Sequence, residues 1–230
     1  MSSESKDILE AGIEKEEVSK IYRKLAPVYD FFSELAESRA HSRCLELAAI
    51  RNGESVLEVA VGTGTLFEKI LTINPDGRNE GIDITPEMLS RAEVKAKRTG
   101  IRNYRLRIGD AYAIDFPGNT FDVLIANYMF DMLPEGDFQI VLKEFMRVLQ
   151  PGGRLIITSM TKGLHWYNNW GELIYWMNPE WFGGCRGVLL LPYLETTGFV
   201  NARREYISEL TFPSEVVYGE KSKTETPSAR

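Results

Sequence analysis

The chain has 230 residues, of which 43% are hydrophobic, 26% charged and 11% aromatic, with 19 Gly and 10 Pro. That balance excludes collagen-like, disordered and small stapled scaffolds, and at this length roughly 70% of the extended chain's surface is buried without help from metal or disulfide. A formal net charge of -6 excludes a bulk nucleic-acid binder, which needs a basic face to replace the counterions around phosphate.

In chain order, residues 1–17 are polar and acidic and read as a flexible N-terminus. Residues 18–50 carry apolar positions at helical spacing interrupted by Pro27, and predict a helical arm. The stretch 51–160 then alternates regularly: strand Ser55 to Ala60, helix Phe67 to Thr72, strand Arg78 to Ile84, helix Pro86 to Thr99, and strand Tyr104 to Gly109. Strand Phe121 to Ala126, helix Phe138 to Leu149 and strand Gly153 to Ser159 complete it. Strands alternating with helices predict a parallel sheet covered on both faces. Thr85-Pro86 reads as a helix cap with Pro at the first helical position, and Pro151-Gly152-Gly153 as the stop before the next strand. Residues 161–196 hold all four tryptophans, Trp166, Trp170, Trp176 and Trp181, and read as an aromatic substrate lid. Residues 197–221 return to strand text, Ala202 to Phe212 and Glu215 to Glu220, and 222–230 read as a disordered tail.

Cys44 and Cys185 form no CxxC pair and the N-terminus lacks a signal-peptide pattern, so the expectation is a reduced, cytoplasmic protein. No segment reaches the ~18 uninterrupted apolar residues of a membrane span. Arg91, Lys95, Lys97, Arg98, Arg102, Arg105 and Arg107 crowd one stretch. Arg91, Lys95 and Arg98 fall on one helix face opposite Leu89, Ala92 and Ala96, which reads first as a solvated face and second as a peripheral contact with an acidic membrane.

The most informative text is Val56-Leu57-Glu58-Val59-Ala60-Val61-Gly62-Thr63-Gly64-Thr65, an apolar strand running into a Gly-x-Gly turn that opens a helix. Such a turn lets a ligand approach bare backbone beside unpaired N–H groups, although it also serves as a plain tight connection. Phe67 stands where a dinucleotide fingerprint has its third glycine, which counts against a nicotinamide cofactor. Asp83, 21 residues after Gly62, ends the second strand where an acid accepts hydrogen bonds from ribose hydroxyls. Gly109-Asp110-Ala111 and Ala126-Asn127-Tyr128 follow at the next strand ends.

Glu58-Val59-Ala60-Val61-Gly62-Thr63-Gly64, Gly81-Ile82-Asp83 with Met88-Leu89, Gly109-Asp110-Ala111, Phe121-Asp122 and Leu149-Gln150-Pro151-Gly152-Gly153 together resemble the ordered motif set of class I S-adenosylmethionine-dependent methyltransferases across residues 55 to 159. Tyr22 to Asp30 and Phe212-Pro213-Ser214-Glu215-Val216-Val217 are similar to the ubiquinone/menaquinone methyltransferase branch and to small phospholipid N-methyltransferases. The resemblance implies a Rossmann-like α/β fold, with a seven-stranded mostly parallel sheet, one antiparallel strand and an N-terminal helical arm.

It further implies that Glu58, Ala60, Gly62 and Gly64 cradle the amino-acid end of S-adenosyl-L-methionine and that Asp83 holds the ribose. Ile84 and Met88 would cover the adenine faces, Asp110 and Ala111 its edge, and Asn127 would sit beside the methyl group. Tyr22 and Tyr29 would cover the cofactor, and Tyr29 and His165 are the catalytic candidates, His165 as a base titrating near neutral pH. No metal is expected. The implied partner is a small-molecule or lipid acceptor, quinone-like or a phospholipid head group, under a pocket of Trp166, Tyr167, Tyr22, Tyr29 and Phe32. A nicotinamide-dependent oxidoreductase and a catalytically silent cofactor-binding protein are the alternatives.

Overall fold

The computed structural model describes residues 38–161, 187–208 and 213–223. Helix α1 (Ser38–Ala48) buries Ala40, Cys44, Leu47 and Ala48, a stripe at helical spacing that lies on the sheet. Strand β1 (Ser55–Val59) leads through the glycine turn into α2 (Thr65–Ile73), then β2 (Arg78–Asp83). Helix α3 (Pro86–Arg98) begins, as the sequence predicts, with Thr85 as cap and Pro86 at its first position. Strand β3 (Tyr104–Ile108) and strand β4 (Phe121–Asn127) follow. Two 3₁₀ turns, Phe130–Met132 and Glu135–Asp137, lead into α4 (Phe138–Val148) and β5 (Leu149–Met160). A short helix α5 (Leu191–Thr197), β6 (Val200–Ile207) and β7 (Ser214–Glu220) complete the described chain.

The strands form one sheet in the order β3-β2-β1-β4-β5-β7-β6. β7 runs antiparallel to both β5 and β6, and the other neighbouring pairs are parallel. This is the expected seven-stranded architecture with a single reversed strand. Alternating side chains of the central strands build a core on each face, and a third cluster of Val61, Phe67, Leu71, Ala92 and Ala96 joins α2 to α3. Val56, Val123, Ile125, Ile156 and Val216 meet α1 and α2, whereas Leu57, Leu124, Ala126, Leu155 and Val217 meet α4 and α5.

The Pro151-Gly152-Gly153 segment lies inside β5 rather than before it. There Gly152, at φ 81°, donates to the Lys221 carbonyl at 2.8 Å, and the β4–β5 register shifts. β6 ends at Ile207, short of the predicted Phe212, and α5 falls in a segment that the sequence assigns to the lid and the following strands.

Two features position a site. Chain order reverses direction across the β1/β4 pair, a switch point whose carboxyl edge is the ordinary ligand crevice of open α/β sheets. Helix α1 runs against the strands. Its last carbonyl, of Ala48, accepts from Arg154 Nε at the amino end of the sheet, so His41 at its other end reaches the carboxyl edge.

Candidate functional site at the carboxyl edge of the sheet

The glycine turn is held open by backbone geometry. Ala60 (φ 58°), Gly62 (φ 54°) and Gly64 (φ 82°) all adopt left-handed conformations. At Gly62 a side chain would meet nothing within 4 Å, so open space lies in front of bare backbone. At Gly64 a Cβ would stand 2.7 Å from the Cα of Ala92, so this glycine serves close packing of the turn on α3. Lys95 crosses from α3 to donate to Thr65 Oγ1 at 2.6 Å and Thr63 Oγ1 at 3.3 Å. It therefore pins the turn, where the sequence reads it as part of a solvated face.

Two acids flank the turn. Asp83 is buried, accepting from the Gly62 N–H at 2.9 Å and the Thr85 N–H at 2.8 Å. Burial raises its pKa, and donors from Gly62, Thr85 and Ile84 pull it back. Glu58 is 2% exposed, and its Oε2 has no hydrogen-bond partner among the described residues. Burial first, and the charge of Asp83 second, hold its pKa well above the carboxylate range. A buried acceptor left unpaired costs about 1–3 kcal/mol, so the fold keeps Glu58 here at a loss that a bound cation would offset.

Beyond Asp83, Ile84 is 51% exposed and Ile108, at the end of the neighbouring strand, is 63% exposed. Each thus leaves apolar surface in water at the carboxyl edge, and Ile108, the register partner of Asp83, belongs to no sequence motif. Met88, in the first turn of α3, is buried. Asp110 Oδ1 accepts from the Tyr112 N–H at 3.0 Å, closing its own turn, and Ala111 is buried beside it.

Asn127 pairs with Thr158 across β4 and β5, and neither amide atom of its side chain has a hydrogen bond of ordinary geometry to a described residue. The same holds for Thr158 Oγ1 and Ser159 Oγ. The thiol of Cys44 lies against Thr158 and Asn127, and burial pushes its pKa up to about 12, leaving a weak donor with no nucleophilic character at neutral pH. The structure thus brings Glu58, Ala60, Gly62, Gly64, Asp83, Ile84 and Asn127 to one edge, with Asp110 and Ala111 at the adjoining end of β3. Tyr22, Tyr29, Phe32, His165, Trp166, Tyr167 and the other three tryptophans lie outside the described residues.

Among the described residues no group of three or more His, Cys, Asp or Glu side chains could hold a metal ion, and no helix is long and apolar enough to cross a membrane. Phe67, at the place of a third glycine, is buried with its ring edge-on to Tyr104.

The glycine turn, the buried acid Asp83 and the switch point thus meet at one edge, and comparison with known proteins shows the family. Residues 56–153 match the family model described as "Methyltransferase domain". The demethylmenaquinone methyltransferase of Symbiobacterium thermophilum is 31% identical over 183 residues, covering 74% of this chain and 71% of the relative. That of Listeria welshimeri serovar 6b is 31% identical over 146 residues, and the match spans 61% of each protein. Among solved structures, a chain from the complex of the Haloferax volcanii Trm112 methyltransferase activator with a putative methyltransferase superposes with a TM-score of 0.71. Its identity is 17%, with 90% of this chain and 99% of that chain covered. The chain belongs to the class I S-adenosylmethionine-dependent methyltransferases.

The edge fits that family's cofactor on three counts. Glu58 offers an orphaned carboxylate to a positive charge, Gly62 leaves room at bare backbone, and Ile84 and Ile108 offer apolar cover to a purine.

Proposed function

We propose that this chain transfers the methyl group of S-adenosyl-L-methionine to a small, lipophilic, quinone-like acceptor. The observation that carries the reading is the 31% identity to a demethylmenaquinone methyltransferase across 71% of that relative's length. The chemistry of the carboxyl edge supports it. Bound S-adenosylmethionine supplies a methyl carbon made electrophilic by its sulfonium, so the protein's task is to hold three atoms in line and exclude water.

In this reading Glu58 faces the cofactor's cationic amino-acid end, with Ala60, Gly62 and Gly64 shaping its cradle. Asp83 exchanges its contacts with Gly62 and Thr85 for the ribose hydroxyls. Ile84 and Met88 flank the adenine, joined by Ile108, while Asp110 and Ala111 face its edge and Asn127 stands beside the methyl group. Tyr22 and Tyr29 close over the cofactor, and His165 is the candidate base for an acceptor that must lose a proton.

Calorimetric titration with S-adenosylhomocysteine and with NADH tests the cofactor. Binding of the first alone is expected, and binding of NADH alone would give the site to the oxidoreductase reading. Incubation with labelled S-adenosylmethionine and a chemically reduced naphthoquinone bearing an unsubstituted ring carbon tests the transfer. Label on the ring is expected; cofactor binding with no label on any lipid or quinone acceptor would assign a silent binder.

A further inference from the structure

The residue after Asn127 is not used by any motif. Tyr128 leaves β4 with φ 49°, a left-handed conformation that costs a bulky aromatic residue of order 1–3 kcal/mol and persists only where its surroundings impose it. Three contacts impose it. Its N–H donates to the Thr158 carbonyl at 2.8 Å, its phenol oxygen shares a hydrogen bond with Ser214 Oγ at 3.0 Å, and the His41 ring meets its ring edge-on at 6.1 Å between centroids. β4, β7 and α1 thus converge to fix one phenol at the carboxyl edge.

The surroundings of that phenol are polar, and the buried acids at the same edge, Glu58 and Asp131, whose Oδ1 accepts from the Met160 N–H at 3.0 Å, add no cation to them. The Asn127 amide, Thr158 Oγ1 and Ser159 Oγ lie in the same two strand ends without ordinary hydrogen-bond partners among the described residues, and Ser214 is buried. His41, 5% exposed, is held neutral at ordinary pH, because burial and the charge of Lys69 lower its pKa to about 4. The described cations around the group are committed elsewhere or stand in water. Arg204 donates to Glu215 and Thr161, Arg43 to Glu46 and Glu205, and Lys69 is exposed on α2. Hydroxyls, an amide and a neutral imidazole recognise hydroxyl groups on an uncharged ring; a phosphate head group would require a paired cation.

Resting on the proposed cofactor site, which places the methyl group beside Asn127, we propose that Tyr128, clamped by Ser214 and His41, is the residue that binds the acceptor. The class it selects is a hydroxyl-bearing aromatic ring, and a charged phospholipid head group is rejected. With its own hydrogen turned to Ser214, the Tyr128 oxygen accepts from the ring hydroxyl and so sets which ring carbon faces the methyl. Tyr128 is the acceptor-binding group, and Ser214 and His41 are positioning residues.

The probes are dihydroxynaphthalene, its dimethyl ether and phosphoethanolamine, titrated anaerobically by calorimetry with and without saturating S-adenosylhomocysteine. For the unsubstituted protein the diol is expected to bind about tenfold tighter than the ether, the upper range for one neutral hydrogen bond, with no heat from phosphoethanolamine. In Tyr128→Phe the diol-to-ether ratio is expected to fall within about twofold of unity while S-adenosylhomocysteine affinity is unchanged. Ser214→Ala is expected to give an intermediate ratio. Equal binding of diol and ether by the unsubstituted protein, which requires no folded variant, would overturn the inference. So would a full ratio retained in Tyr128→Phe, or preference for phosphoethanolamine. Failure of S-adenosylhomocysteine to bind would instead remove the cofactor reading, and the Tyr128 result is still read from the titrations run without it.

Discussion

The two ends of the sheet handle buried polar groups in opposite ways. At the amino end, Asn74 and Asn79 are fully buried and saturated. Asn74 donates to the Glu54 carbonyl and to Asn79 Oδ1, each at 2.9 Å, and accepts from the Gly53 N–H at 2.7 Å. Asn79 donates to the carbonyls of Asn74 and Asn103 at 2.9 and 3.0 Å. At the carboxyl end, Glu58, Asn127, Thr158 and Ser159 are left with unpaired atoms among the described residues. Both ends belong to one sheet, so the contrast is not one of packing quality. A fold that can saturate its polar groups at one end and leaves them open at the other is keeping the second for a ligand.

The largest expected effect breaks the carboxyl end outright. Gly62→Val places a β-branched side chain at positive φ in the open space before the turn, and S-adenosylhomocysteine affinity should fall by at least about 3 kcal/mol, a hundredfold or more by calorimetry. Near-normal binding would make the turn a mere connection.

A pH series separates the ends next. The unfolded His41 takes up its proton near 6.5, whereas the folded imidazole does so only at about 4. Stability is therefore fully present above 6.5 and is lost as pH falls through 4, by about 3 kcal/mol in total. Denaturant unfolding of His41→Gln should show that acid decline flattened. An unchanged decline would place the titration elsewhere.

Asn79 and Asp83 sharpen the contrast, since they lie on one strand at opposite ends. Asn79→Ala strands buried partners and should cost about 2–3 kcal/mol of stability with cofactor affinity intact. Asp83→Ala should weaken S-adenosylhomocysteine by about 2 kcal/mol, the scale of a charge-assisted hydrogen bond, and leave the fold in place. Exchanged phenotypes would invert the assignment. The smallest effect concerns strain: Ala60→Gly relieves a left-handed alanine and should raise stability by about 1 kcal/mol in chemical denaturation. A loss instead would show that the methyl group's packing outweighs the dihedral.

Much of this was legible in the sequence, for physical reasons. Val56 to Gly64 announces a buried strand followed by a turn that only small residues allow, and Thr85-Pro86 starts a helix by local geometry alone, so strands β1 to β5 fall near their expected places. Asp83 was legible because a fixed strand–helix–strand length sets its distance from Gly62. What could not be read depends on residues remote in sequence. Tyr128 acquires its meaning from Ser214, 86 residues away, and from His41 on α1. Lys95 turns inward because Thr63 and Thr65 stand across from it, which helical periodicity cannot report. The Pro151-Gly152-Gly153 stop was misplaced because β7 and Lys221 draw the segment into the sheet as an irregular strand start.

Amide hydrogen exchange read by mass spectrometry, with and without saturating S-adenosylhomocysteine, tests the two-ended account most directly, because it reports both ends of every strand at once. The expected result is slowed exchange confined to the peptides spanning Val59 to Thr65, Asp83 to Thr85, Gly109 to Ala111 and Asn127 to Tyr128, with Gly53 to Ser55 and Arg78 to Asn79 unchanged. Slowing at the amino end, or none at the glycine turn under saturation, would contradict the claim that the open carboxyl edge, and not the saturated amino end, receives the cofactor.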